Sequence, residues 1–271
     1  MSLEYQCPLC NLALLKTDST LRCANNHSFD FAKEGYVNLL PVQQKNSKQP
    51  GDSLEMVQAR RAFLERGYYR FLQQSLSDII SNISANTIID LGCGEGFYTQ
   101  AIANKTNAVV YGVDISKSAV KYAAKRYPNC HFSVASISQA PFKSQFADVL
   151  VSVFAPLFEQ ELERLANQNA TLVVASPGPC HLKELKSYIY SEVNEHTEIA
   201  TPKGFQKSEQ ILLTDHIAFS FTDIKNLIMM TPFAWKFRPE HWTALEEKGE
   251  HTVTLSFYIT QFTKIDNDVT L

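Results

Sequence analysis

Ile88-Ile89-Asp90-Leu91-Gly92-Cys93-Gly94-Glu95-Gly96 is the stretch on which the fold turns. Two β-branched residues and a leucine read as a short buried strand. The three glycines that follow let the backbone turn where a side chain would block a ligand. A helical segment from Phe97 to Ala103 comes next, so its free N–H groups point back at the loop. Asp90 stands two residues before the first glycine, where pyrophosphate binders carry an apolar residue. Glu95 inside the loop is a poor neighbour for a pyrophosphate and a tolerable one for a cationic sulfonium. Val109-Val110-Tyr111-Gly112-Val113-Asp114 is a second strand ending in a carboxylate, about 20 residues on, placed to hold both hydroxyls of a ribose.

These features together read as a binding site for S-adenosylmethionine in a fold of the class I methyltransferase type. The surrounding chain agrees. Helical spacing over Lys117 to Arg126 is followed by strands at His131–Ala135, Ala147–Val153 and Ala170–Ala175, with a helix from Glu159 to Ala166. Alternating strands and helices imply a Rossmann-like, doubly wound parallel sheet. Ser136-Ile137 falls where such folds contact an adenine, and Ser176 to Leu182 opens the next helix. Two late strand candidates, Gln210–Leu213 and Val253–Phe262, flank Asp223 to Met230. They fit the antiparallel hairpin that closes a methyltransferase sheet.

A chain of 271 residues holds one ordinary domain plus a small one. It contains no apolar run of the ~18 residues a membrane helix needs. Its first residues have neither the basic start nor the apolar core of a signal peptide, so a cytoplasmic protein is expected. Six cysteines in that compartment read as metal ligands or buried thiols rather than disulfides. Cys7, Cys10, Cys23 and His27 form C-x2-C-x12-C-x3-H, the spacing of a closed Cys3His zinc site. Two ligand pairs on tight turns face each other across a hairpin around Lys16–Thr20. Protein fills all four positions, so the zinc is structural. So short a segment buries little surface, and the metal supplies the missing free energy.

Residues 41–70 read as a connector and basic helix between a zinc module (1–40) and the methyltransferase domain (71–271). Tyr36–Pro41 is extended, Gln43–Asp52 is polar, and Leu54–Leu64 has helical spacing that stops near Gly67; a further helix runs from Phe71 to Ile83. Net charge is -3, yet residues 41–70 carry six basic to three acidic side chains. Arg60 and Arg61, beside Tyr68, Tyr69 and Phe71, are candidates to grip RNA phosphates or the cofactor. An amphipathic helix with a solvated basic face explains the same pattern equally well.

In this fold substrate chemistry sits beyond the carboxyl ends of the strands, chiefly the fourth. There the run is Val153-Phe154-Ala155-Pro156, without the amide or carboxylate that enzymes acting on exocyclic amines carry. Pro179-Cys180 follows the fifth strand and reads as a bystander thiol. His181, at the same edge, is the one imidazole placed to touch ligand. No proton acceptor is evident.

Further stretches carry a family resemblance. Cys7-Pro8-Leu9-Cys10, Ala32-Lys33-Glu34-Gly35-Tyr36-Val37-Asn38-Leu39-Leu40-Pro41, Pro50-Gly51-Asp52-Ser53 and Ala59-Arg60-Arg61-Ala62-Phe63-Leu64 resemble the bacterial 23S ribosomal RNA (guanine-N1)-methyltransferases. So do Asp90–Gly96, Pro177-Gly178-Pro179 with His181-Leu182, and Met230-Thr231-Pro232-Phe233-Ala234-Trp235. The similarity is to the enterobacterial-type branch and covers nearly the whole chain. It implies methylation of one guanine in a hairpin loop of 23S rRNA, a zinc module that helps bind that RNA, and a homodimer whose paired modules form an RNA cleft. A sister group methylates a neighbouring guanine and confers resistance to certain macrolides. The resemblance also implies that Tyr69, Gly94-Glu95-Gly96-Phe97 and His181 line the cofactor. The chain departs from the pattern at Cys180, where a basic residue is expected.

The expected cofactor set is thus Tyr69, Asp90, Gly92, Gly94, Glu95, Gly96, Phe97, Asp114 and His181, with one zinc on Cys7, Cys10, Cys23 and His27. Two rival readings are a methyltransferase of this fold acting on a small molecule and a non-catalytic RNA-binding protein. The zinc module speaks against the first, and the intact glycine loop with Asp114 against the second.

Overall fold

The computed structural model describes residues 3–44 and 51–265. Pro50, and most of the polar stretch expected between Gln43 and Asp52, lie outside the described residues. Strands β1 (Leu15–Thr17), β2 (Thr20–Arg22) and β3 (Ser28–Asp30) form a small antiparallel sheet. Then come β4 (Val37–Asn38), α1 (Leu54–Glu65), α2 (Arg70–Ser81), β5 (Thr87–Leu91), α3 (Phe97–Lys105), β6 (Val109–Asp114), α4 (Lys117–Arg126) and β7 (His131–Val134). The chain continues through β8 (Ala147–Val153), α5 (Glu159–Leu165), β9 (Ala166–Pro177), α6 (Lys183–Lys186), β10 (Phe205–Ser220), α7 (Phe221–Met229), α8 (Pro239–Lys248) and β11 (Glu250–Lys264).

The large sheet has the order β10-β11-β9-β8-β5-β6-β7-β4. Strands from β4 to β9 pair in parallel, and β9, β11 and β10 are antiparallel. Strand order reverses between β5 and β8, with β6 and β7 on one side and β8 and β9 on the other, so a switch point opens beyond Leu91 and Val153, where ligands bind in open α/β sheets. The closing hairpin is longer than the short strand expected at Gln210–Leu213, because β10 stays in register with β11 from Phe205 to Ser220 with one irregularity near Lys207. Ser176 to Leu182 does not open a long helix. Leu182 takes a left-handed φ of 57°, and only Lys183–Lys186 is helical.

Both faces of the sheet are buried at its central parallel strands, which is why β5, β6, β8 and β9 are apolar at successive positions rather than alternate ones. Ile88, Val149, Val151, Val153, Val173 and Ala175 join one core with Phe63 and Tyr69, residues of α2, α3, α7 and α8, and Phe257. Ile89, Leu91, Leu150, Leu172 and Val174 point the other way. There they meet Tyr5, Cys7, Leu14, Leu21 and Cys23 of the N-terminal segment. Tyr5 lies edge-on to Tyr111 at 5.5 Å and stacks on Phe142 at 5.3 Å. Gln6 donates its backbone N–H to Pro141 at 2.8 Å. The N-terminal segment therefore shares its core with the sheet. The stretch after β3 also contributes: Val37–Asn38 pairs in parallel with Ser133–Val134 and becomes the edge strand.

Candidate cofactor cradle and metal centre

The cradle is built where β5 turns into α3. Gly92 has φ +84°, and a Cβ there would sit 2.5 Å from the Cβ of Ala155, so glycine lets the loops after β5 and β8 meet at the switch point. Gly96 caps α3 at φ +82°, with Phe132, Tyr127 and Ala123 all about 3 Å from where its Cβ would be. The middle glycine differs. A Cβ on Gly94 would meet only the Nη1 of Arg60, at 3.8 Å, so this part of the loop faces open space.

Two carboxylates lie close together at this turn. Asp114 Oδ2 accepts the Gly94 N–H at 2.9 Å and Oδ1 accepts the Ser116 N–H at 2.7 Å. Burial raises its pKa, against those two backbone hydrogen bonds. A carboxylate has about four lone-pair sites, so each oxygen keeps capacity for a hydroxyl. Asp90 Oδ2 accepts from Thr99 Oγ1 at 2.6 Å, while Oδ1 is buried with no hydrogen-bond partner among the described residues. The hydroxyl of Tyr98 is also buried with no hydrogen-bond partner among the described residues, within electrostatic reach of Tyr69, Arg60 and Asp90. Orphaned polar atoms of this kind cost free energy unless a ligand or water satisfies them. Their chemistry suits a cationic, hydrogen-bonding group such as the methionyl end of S-adenosylmethionine.

Burial pushes the Asp90 carboxyl up to about 7, with Asp114 adding to the rise and Thr99 opposing it. Burial likewise takes Glu95 to about 7, against the pull of Arg126, Arg61 and Arg60. Folded protein thus holds the Asp90 proton more tightly than the unfolded chain, whose carboxyl titrates near 3.8. Its contribution to stability is full below pH 4 and is lost as pH rises through 7. Asp90→Asn still accepts from Thr99 but cannot ionise. Ligand-free protein carrying it is expected to melt above wild type at pH 8, the gap closing by pH 4. Calorimetric scans across that range check this, and a gap independent of pH would refute the Asp90 assignment.

The rest of the expected set is distributed around this centre. Tyr69 is buried edge-on to Phe63 at 5.1 Å and Phe257 at 5.0 Å. Phe97 accepts from Gln73 through its carbonyl at 2.6 Å and meets Tyr98 edge-on. His181 stands across the strand ends, its Nδ1 accepting the Ser256 N–H at 3.3 Å and its ring 4.6 Å from Phe257. Burial, helped by Lys186 and His196, pulls this imidazole down to about 3, so it is neutral and a weak base. Arg60 pairs with Asp52 and donates to the Met230 carbonyl at 3.4 Å, which ties the connector to the loop after α7. Arg61 instead pairs with Glu65 at 3.1 Å and lies over Tyr122. Cys180 is partly buried, its Sγ 3.9 Å from Glu195. Sequence reasoning missed Tyr98 and Asp52; the one signal for Tyr98 was an aromatic in the first turn after the glycines.

A cavity of about 340 Å³ at the opposite end of the sheet, lined by Ile83, Ser84, Gln145 and Asp148 among others, is structural. Its carboxylate, Asp148, already accepts the Asn86 and Thr87 N–H groups at 2.7 and 2.9 Å.

The second centre is in the N-terminal segment. Ligand atoms of Cys7, Cys10, Cys23 and His27 all lie within 4.8 Å of one another. His27 Nδ1 is 3.4 Å from the Sγ of both Cys7 and Cys23, and Cys10 Sγ is 3.7 Å from Cys23 Sγ. A tetrahedral zinc with Zn–S near 2.3 Å and Zn–N near 2.0 Å separates its ligands by about 3.8 Å (S···S) and about 3.5 Å (S···N). Each pair sits on a turn finished by a left-handed asparagine, Asn11 at φ 60° and Asn26 at φ 61°, whose N–H groups donate to the carbonyls of Cys7 and Cys23. The set matches one closed zinc site.

Comparison with known proteins covers both parts of the chain. The model of the RlmA N-terminal zinc ribbon matches residues 5–48, and a methyltransferase-domain model matches residues 83–242. The 23S rRNA (guanine(748)-N(1))-methyltransferase of Streptomyces fradiae is 30% identical over 94% of this chain and 95% of its own. A Bacillus subtilis (strain 168) relative, 28% identical over 93% of this chain and 94% of its own, is provisionally named a 23S rRNA (guanine-N(1)-)-methyltransferase. One from Micromonospora griseorubida, 27% identical over 93% and 94%, carries the same provisional name.

Proposed function

We propose, from the premise that the chain belongs to the family of 23S rRNA (guanine-N1)-methyltransferases, that it transfers the methyl group of S-adenosylmethionine to N1 of a guanine in a hairpin loop of 23S rRNA. The observation that carries this reading is that the likeness spans ribbon and sheet together, 94% of the chain. No helix among the described residues is long and apolar enough to cross a membrane. A cytoplasmic site of action follows from the ribosomal substrate.

When bound, S-adenosylmethionine would supply a sulfonium methyl carbon open to in-line attack by guanine N1, with S-adenosylhomocysteine leaving as the neutral thioether and the N1 proton passing to solvent. The chain's own residues bind, orient and exclude water around that event. Asp114 accepts from the ribose hydroxyls. Asp90 and the loop Gly92, Gly94, Glu95, Gly96 and Phe97 take the methionine end, with the orphaned Asp90 oxygen and the Tyr98 hydroxyl turned toward it. Tyr69 and His181 close the aromatic side. Cys7, Cys10, Cys23 and His27 hold the structural zinc of residues 1–40, the connector spans 41–70, and 71–271 form the methyltransferase domain. A guanine must leave any Watson–Crick pair to present N1, and loop bases do so at least cost. Two copies of the chain, through paired ribbons, form the RNA cleft that the family resemblance implies; sedimentation of the zinc-loaded protein tests that.

Tritiated-methyl transfer onto 23S RNA transcribed without modification tests the whole reading. Label is expected in 1-methylguanosine at one hairpin site. N1-methylation blocks base pairing, so a reverse-transcription stop maps the nucleotide and distinguishes the guanine(748) position from its neighbours. Absence of label on both naked RNA and ribosomal particles would refute RNA methylation.

A further inference from the structure

Phe154 is the first residue after β8, at the switch point, in the loop that meets the glycine turn through Ala155 and Gly92. Its φ is +56°, a left-handed conformation unusual for a bulky side chain. The turn is held there by the Phe154 N–H donating to the Ala175 carbonyl at 3.0 Å and by Ser152 Oγ donating to the Ala155 carbonyl at 3.2 Å. Strain of this kind persists only where the surroundings impose it, and it concentrates at functional sites. Glycine would satisfy the same turn without strain.

The ring is only partly buried in that conformation. Phe154 is 45% exposed, whereas the three rings around it are buried: Tyr69 at 3%, His181 at 7% and Phe257 at 0%. Centroid separations are 6.5 Å to Tyr69, 6.5 Å to a nearly parallel His181, and 5.6 Å to Phe257. An exposed aromatic is thus fixed against a buried aromatic wall that includes Tyr69, on the cofactor side of the sheet. The turn Val153-Phe154-Ala155-Pro156 offers no amide or carboxylate side chain. A purine arriving there would be oriented by ring contact rather than by polar side chains of this turn.

We propose that Phe154 is the residue on which the acceptor guanine stacks while its N1 faces the methyl donor; this rests on the guanine-N1 reading above. The test compares wild type with Phe154→Leu, which keeps an apolar branched side chain, and Phe154→Trp, which keeps a π-face. Single-turnover methylation is measured on the unmodified hairpin, and fluorescence on a hairpin carrying 2-aminopurine at the mapped target. S-Adenosylhomocysteine affinity and thermal unfolding serve as folding controls. Phe154→Leu is expected to lower kcat/KM for RNA by about 10- to 100-fold, the range of one base–aromatic stack. It should also remove the fluorescence change of the unstacked base on binding, while Phe154→Trp keeps both. Wild-type kcat/KM in the leucine variant, or equal losses in leucine and tryptophan variants, would overturn the stacking role alone. Wild type that labels no RNA would overturn the guanine-N1 reading and the stacking role with it.

Discussion

Cys23→Ser is expected to strip zinc from the protein, lower the melting temperature by about 10 °C or more, and abolish RNA methylation. A structural zinc contributes about 10–16 kcal/mol of binding free energy in finger peptides, and losing one ligand of four forfeits several kcal/mol of it. For a chain of this size each kcal/mol shifts the midpoint by about 2–4 °C. The distinctive expectation is where that loss is felt. Tyr5, Leu14 and Leu21 share a core with Ile89, Tyr111, Phe142 and Leu172, so an unravelled ribbon uncovers one face of the sheet. The main transition should move, without a separate early one for a detached bead. Zinc content by mass spectrometry and a calorimetric scan check both parts. A variant that keeps one zinc per chain, or a main transition at the wild-type temperature, would refute the ligand assignment or the shared core respectively.

Asp114→Ala should weaken S-adenosylmethionine binding by about 100-fold or more. Hydrogen bonds to a charged group contribute about 1.5–3 kcal/mol each, and a ribose offers two donors to this carboxylate. The substitution also orphans the N–H groups of Gly94 and Ser116, which now point at Asp114 from 2.9 and 2.7 Å, so the glycine loop loses its tether. Asp114→Asn should fall between, since an amide presents one acceptor where the site needs two. Titration calorimetry with S-adenosylhomocysteine and its 2′-deoxy analogue separates the two effects. Wild type should lose affinity for the deoxy analogue and Asp114→Ala should not, because the partner of that hydroxyl is already gone. Equal losses in both proteins would place the ribose elsewhere.

Local determinants were legible in the chain itself. Asp90, the glycines and Asp114 sit within one strand–turn–helix–strand unit, where spacing along the chain settles spacing in space. Zinc-ligand spacing is legible for the same reason, since each pair occupies one turn. The apolar runs of β5, β6 and β8 announced strands buried on both faces, and their bounds follow the sequence closely. The extended reading of Tyr36–Pro41 was right locally and silent about its partner, because a two-residue edge strand acquires meaning only beside Ser133–Val134.

What tertiary structure decided is everything that depends on contacts between distant segments. Composition could not show that the zinc ribbon packs on the back of the sheet, since that needs Tyr5 against Tyr111 and Phe142. Nor could it show that Arg60 spends its guanidinium on Asp52 and the Met230 carbonyl, or that Tyr98 and Asp90 bury polar atoms with no partner among the described residues. A side chain's role at such a site is set by burial and by the partners left to it, and neither exists until the chain has folded. The left-handed turn at Phe154 is the sharpest instance, because no propensity places a phenylalanine at φ +56°. The sequence by itself determined where along the chain the two candidate centres lie; the packed sheet decided how they are joined and that Phe154 is left exposed at the switch point.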